Sequence, residues 1–117
     1  MYFDTHAHYD SGAFNADREE ILAALPEAGV ALVVNPGCEV RSSETAVALA
    51  ERFPHVWAAV GIHPEDMADM SDGDLDKIEQ LSKHPRCVAV GEIGLDYYWD
   101  ASRKEEQKAL FSEQLRL

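Results

Sequence analysis

The sequence predicts an α/β protein made of four successive βα units with parallel strands. Three observations carry that expectation. Strand-like and helix-like stretches alternate four times with no flexible linker or low-complexity segment between them, the pattern of α/β architectures. The stretches 30–34, 56–60 and 87–90 are apolar throughout, as in strands of a parallel sheet covered on both faces. Chemically capable residues also recur just after each strand: His6 and His8, then Asn35, then His63, then Glu92. In parallel α/β sheets and barrels, functional groups collect at this carboxyl end.

Taken in order, residues 1–4 read as a short first strand and residues 10–15 as a polar loop. Residues 17–28 carry Ile21, Leu22, Leu25 and Ala28 at helical spacing, with Asn15 as a candidate cap and Pro26 as terminator. The second strand, 30–34, breaks at Asn35-Pro36-Gly37. Ser42 or Ser43 is expected to cap a second helix with Ala46, Val47, Ala50 and Phe53 on its apolar side. The third strand, 56–60, closes at Gly61-Ile62-His63-Pro64. Ser71 with Asp74 resembles a capping box before a helix that turns Leu75, Ile78 and Leu81 inward. The fourth strand, 87–90, closes at Gly91-Glu92-Ile93-Gly94. A last helix from about residue 102 clusters Leu110, Phe111, Gln114 and Leu115.

The 117 residues suggest one domain or part of one. With 22 acidic and 10 basic residues the formal net charge is −12, the wrong sign for gripping nucleic acid through a broad basic face. A phosphate-containing substrate would have to be drawn by a metal site instead. No apolar run approaches the roughly 18–20 residues needed to cross a membrane, and no secretory signal is visible, so a cytoplasmic location is expected. Cys38 and Cys87 form no C-x-x-C or zinc-finger spacing and read as buried, reduced thiols.

The opening Phe3-Asp4-Thr5-His6-Ala7-His8 is the most distinctive stretch. If the first strand runs through it, a period of two puts Asp4, His6 and His8 on one side, and the two imidazoles converge as a metal requires. Two histidines and a carboxylate suit zinc, manganese or iron, whereas calcium prefers oxygen alone. Glu92 has two oxygens and can bridge a metal pair; paired metals activate water and stabilise phosphoryl displacement. His63 would contact a phosphate oxygen or assist proton transfer. Each residue also has a plainer role open to it: His63 ordering a loop, Glu92 capping a helix, Asn35 making turn hydrogen bonds, Asp96 orienting a ligand or capping a turn. Trp57 and Trp99 read as packing residues, and Tyr97 and Tyr98 as either cleft or core. The acidic run from Glu65 to Asp76 lacks the alternation of a calcium loop and reads as solvated.

Three motifs together resemble the TatD family of metal-dependent deoxyribonucleases, a branch of the amidohydrolase superfamily. They are the opening H-x-H stretch, Gly61-Ile62-His63-Pro64, and Gly91-Glu92-Ile93-Gly94-Leu95-Asp96-Tyr97. The H-x-H pair is shared across the superfamily; the other two are more specific. The resemblance implies a TIM barrel and a centre of two divalent ions, Mg, Mn or Zn. His6 and His8 match the first ligand pair, Glu92 the bridging carboxylate and His63 a histidine beside the substrate phosphate. The implied activity is phosphodiester hydrolysis, typically exonucleolytic on single-stranded DNA.

A full barrel takes about 250 residues, and only four βα units are present, so the expectation is a half-barrel: residues 1–117 as the amino-terminal half of a TatD-like domain, with no second domain. The family's two further histidines and aspartate come from later strands, and His55 and His84 precede strands rather than follow them. A half-barrel exposes the edges of its first and fourth strands, which predicts self-association. Two other readings follow: a catalytically incompetent, self-associating fragment, or a relative acting on a small ester or amide. The topology also places Cys38 and Cys87 at opposite ends of the sheet, which excludes a disulfide between them.

Overall fold

The computed structural model describes all residues, 1–117. Four strands, β1 (Tyr2–Asp4), β2 (Val30–Pro36), β3 (Val56–Val60) and β4 (Cys87–Val90), form one parallel sheet in the order β1-β2-β3-β4. Helices α1 (Arg18–Ala24), α2 (Val40–Arg52), α3 (Asp74–Ser82) and α4 (Lys104–Gln114) follow the strands in turn, with 3-10 turns at Gly12–Phe14 and Asp66–Asp69. The fourfold βα alternation is therefore as expected. No helix is long and apolar enough to cross a membrane.

The sheet is covered on one face, not on both. Crossovers between parallel strands are right-handed almost without exception. When the strand order is also the chain order, every helix lands on the same side. The register pairs Val33 with Val56 and Asn35 with Ala58. All four are fully buried, as is Val60, and Val33, Val56, Ala58 and Val60 share one core cluster with Leu22, Ala46, Leu49, Ala50 and Ile78. Phe3 and Val88, by contrast, are 58% and 54% exposed. The radius of gyration, 14.7 Å, exceeds the roughly 13.4 Å of a closed domain of this length, as an open half-barrel requires.

Local capping differs from the expectation in instructive ways. The cap of α2 is Glu39, whose carboxylate accepts from the Arg41 and Ser42 N–H groups at 2.7 and 2.6 Å. Ser42 occupies the third helical position and returns the bond through its hydroxyl. The same box is made with its two side chains exchanged. Asp17, not Asn15, stands at the start of α1, and α1 ends at Ala24, just before Pro26. Asp74 accepts from the Ser71 N–H at 2.9 Å, but Gly73, at φ 89°, takes the cap position of α3. The last helix begins at Lys104, and Leu115 is exposed rather than part of its apolar side.

Arg86 clamps the amino end of the sheet. Its guanidinium donates to the carbonyls of Ala50, Phe53, Pro54 and Val56 and lies 3.9 Å from the Trp57 ring centroid. Trp57 is thus a packing residue, as expected. Arg86→Ala leaves those carbonyls without their donor and should lower stability by about 2 kcal/mol, or roughly 8 °C in Tm. Arg86→Lys should recover less than half of the loss, since an ammonium lacks the planar fork. Thermal unfolding of both variants checks this.

Candidate metal centre

The loops at the carboxyl ends of β2, β3 and β4 are tied together by backbone hydrogen bonds. The Gly37 carbonyl accepts from the Glu92 N–H at 2.8 Å, and the Cys38 carbonyl from the His63 N–H at 2.7 Å. The turn after β2 therefore holds both residues in place. It does so by packing closely: a Cβ on Gly37 would lie 2.3 Å from Ser43 Oγ and 2.5 Å from Ser43 Cα. Ser43 in turn exchanges bonds with the Gly61 backbone. From α4, the buried Gln114 brackets Ile62, accepting from its N–H at 2.7 Å and donating to its carbonyl at 2.9 Å.

His6 and His8 converge, though not by strand periodicity. β1 ends at Asp4, and the Ala7 N–H still bonds to the Val34 carbonyl at 3.1 Å, which keeps the segment beside β2. The two Nε2 atoms are 3.1 Å apart. Glu92 Oε2 lies 3.3 Å from the first and 3.4 Å from the second. Ligand bonds of about 2.0–2.1 Å in a tetrahedron set edges of roughly 3.3 Å, so the three atoms have the spacing of one face of a coordination shell. The residues present fit a divalent ion.

The loop carrying the histidines is braced from below. Asn35, fully buried, accepts through Oδ1 from the Tyr9 and Asp10 N–H groups at 2.7 and 3.3 Å and donates to Asp10 Oδ1 at 2.8 Å. Its part is that of a loop organiser. Asp10 Oδ1 stands 3.7 Å from His8 Nδ1, on the ring edge away from Glu92. Arg18 donates to the carbonyls of Tyr9, Asp10 and Ser11 from the other side.

His63 completes the array. Its Nδ1 accepts from the Glu65 N–H at 3.2 Å, so the neutral ring carries its proton on Nε2, which faces Glu92 Oε1 at 3.8 Å. The two oxygens of Glu92 thus face different partners. Asp96 caps a turn, accepting from the Tyr98 and Trp99 N–H groups. Trp99 is 70% exposed and Tyr98 84%, so neither is a core residue.

Sequence reasoning missed Cys38 in this setting. Its Sγ lies 3.8 Å from Glu92 Oε2, and burial, then the Glu92 carboxylate, push the thiol up to about 12. Only its position directly after β2 signalled this. Both cysteines are half-buried and free.

Together the one-sided βα sheet and the His–His–carboxylate triangle at its carboxyl edge define an α/β protein with a candidate metal centre. The chain belongs to the TatD related DNase family, whose pattern it matches over residues 3–117. It is 39% identical over its whole length to YabD of Bacillus subtilis, described as an uncharacterized metal-dependent hydrolase, of which it covers 46%. It is 36% identical over 115 residues to the 3'-5' ssDNA/RNA exonuclease TatD of Salmonella typhimurium, covering 98% of this chain and 44% of that one. The crystal structure of YjjV, a TatD homologue from Escherichia coli, superposes with a TM-score of 0.88 at 37% identity, over 98% of this chain and 45% of that one. The chain spans about half the length of the curated relatives it matches.

Proposed function

We propose that residues 1–117 form the amino-terminal half of a TatD-type barrel domain and contribute His6, His8 and Glu92 to a metal-dependent phosphodiesterase acting on single-stranded DNA or RNA. The observation that carries this is the 3.1–3.4 Å triangle of two imidazole nitrogens and one carboxylate oxygen. A divalent ion, Mg, Mn or Zn, supplies Lewis acidity toward a phosphodiester and toward water when bound there. His6 and His8 offer neutral nitrogens on one side of that position. Glu92 presents Oε2 to them and Oε1 toward His63, an arrangement that suits a carboxylate shared between two ions. His63, with its proton on Nε2, donates to a non-bridging phosphate oxygen or to the leaving oxygen. The naming of relatives as exonucleases and metal-dependent hydrolases supports the reading. In a cytoplasmic setting Cys38 and Cys87 remain thiols. The test is hydrolysis of a 3'-labelled single-stranded oligonucleotide with added Mn²⁺ by the 117-residue chain, in which His6, His8 and Glu92 must hold the ion without ligands from later strands. Release of 3'-terminal nucleotides, abolished by chelator, is expected; cleavage of a small ester or amide instead would contradict the substrate class.

A second reading concerns the chain by itself. The outer edges of β1 and β4 are unpaired, and Tyr2, Phe3, Leu32 and Val88 expose apolar surface. We propose that a second copy of this chain covers them, β1 of each meeting β4 of the other. Sedimentation of the 117-residue chain should give a dimer, and substitution of Phe3 and Val88 by Lys should give a monomer.

A further inference from the structure

The loop after β4 departs from the usual behaviour of exposed segments. It holds Leu95, Tyr98 and Trp99, which are 45%, 84% and 70% exposed, yet its backbone is firmly held. Gln107 of α4, 1% exposed, accepts from the Asp96 N–H at 2.8 Å and donates to the carbonyls of Asp96 and Asp100 at 2.9 Å each. Asp96 in turn accepts from the Tyr98 and Trp99 N–H groups. A buried amide and a carboxylate thus present two aromatic side chains to solvent on a fixed loop. Their rings meet edge to face at 4.7 Å, an arrangement that leaves an aromatic face open.

Position and charge narrow the ligand. Trp99 borders a cavity between the loops after β3 and β4 that is also lined by Pro64, Glu65, Asp96, Asp100 and Arg103; Pro64 is next in the chain to His63, whose Nε2 lies 3.8 Å from Glu92 Oε1. Three carboxylates, Glu65, Asp96 and Asp100, share that cavity with one cation, Arg103, which is already paired with Glu106, so the wall disfavours a phosphate and suits an uncharged, flat group. The chain as a whole carries −12, so a polyanion cannot be held by a basic groove. Away from the metal cluster, stacking is the attraction that remains, and it tolerates any base because every base has a π-face.

We propose that Tyr98 and Trp99 form a stacking platform for a nucleobase, holding it beside His63 while the adjoining phosphodiester lies at the His6–His8–Glu92 cluster. The idea rests on the phosphodiesterase reading above. Its test uses two probes of equal charge, a six-nucleotide oligothymidylate and the abasic oligonucleotide of the same length, with the 117-residue chain and Mn²⁺ in chelator-controlled binding and cleavage assays. Oligothymidylate should bind roughly 5- to 100-fold more tightly than the abasic probe and quench tryptophan fluorescence. Trp99→Ala should remove both the preference and the quenching, while Trp99→Phe keeps the preference. Both variants alter an exposed side chain, and unchanged circular dichroism controls for folding. Affinity should fall only weakly with salt, and equally for wild type and Trp99→Ala. Equal binding of the two probes by the wild-type chain, or a preference that survives Trp99→Ala, overturns the platform. Metal-dependent cleavage of the abasic probe without any base preference overturns the platform alone. Base-dependent binding without cleavage of either probe leaves the platform standing and contradicts the hydrolase reading; neither binding nor cleavage rejects both.

Discussion

Glu92→Gln should reduce the proposed metal-dependent phosphodiester hydrolysis by on the order of 10³-fold while leaving the fold intact. The substitution preserves shape and removes the charge at the one atom, Oε2, that both imidazoles face. Loss of a single preorganised electrostatic contact, such as one oxyanion-hole donor, typically costs about 10²–10³ in rate. Here the other oxygen also faces His63, so one substitution disturbs both contacts. Glu92 is partly exposed and makes no core contact, so circular dichroism and Tm should stay close to wild type. The rate should remain low at saturating Mn²⁺ if Glu92 does more than raise affinity. Full recovery at high metal would confine its part to ligation, and an unchanged rate at all concentrations would remove Glu92 from the chemistry.

Gly37→Ala should destabilise the chain by about 3 kcal/mol or more, a fall in Tm on the order of 10 °C or greater, even though it adds only one methyl group. The added Cβ would meet Ser43 Cα and N at 2.5 and 2.6 Å, which are backbone atoms inside α2 and cannot turn aside. Relief requires moving the turn after β2, and that turn holds the Glu92 and His63 backbones. Stability and site geometry should therefore fail together. Urea unfolding monitored by circular dichroism, with Zn²⁺ affinity measured on the same preparation below its Tm, checks both. A stable variant with wild-type metal affinity would show that the turn is free to adjust.

The strands and the strand-end placement of His6, His8, His63 and Glu92 were legible because continuous apolar runs and their terminating glycines are local in sequence. The uncovered sheet face was not. Residues 87–90 read the same whether or not anything lies opposite them, and Val88 is exposed only because no partner layer faces it. The capping roles of Glu39 and Ser42 were exchangeable on paper, since a carboxylate and a hydroxyl three residues apart can close the box either way round. Arg18, Arg86, Gln107 and Gln114 act through backbone groups up to tens of residues away, and no periodicity marks such partners. Asn35 was placed at the right strand end, but its grip on the Tyr9–Asp10 backbone depends on the register between β1 and β2. Cys38 came to Glu92 in the same way, through the register of β2, β3 and β4.

His6, His8 and Glu92 of this chain are proposed to hold a divalent ion. Calorimetric titration of the metal-free 117-residue chain with Zn²⁺ tests it most directly, alongside His6→Ala and Glu92→Gln. Saturable binding of at least one ion per chain is expected, weakened by more than about 100-fold in each variant, beyond what loss of an outer-shell partner alone produces. Binding that is absent from the wild-type chain, or that persists unchanged in both variants, would contradict it.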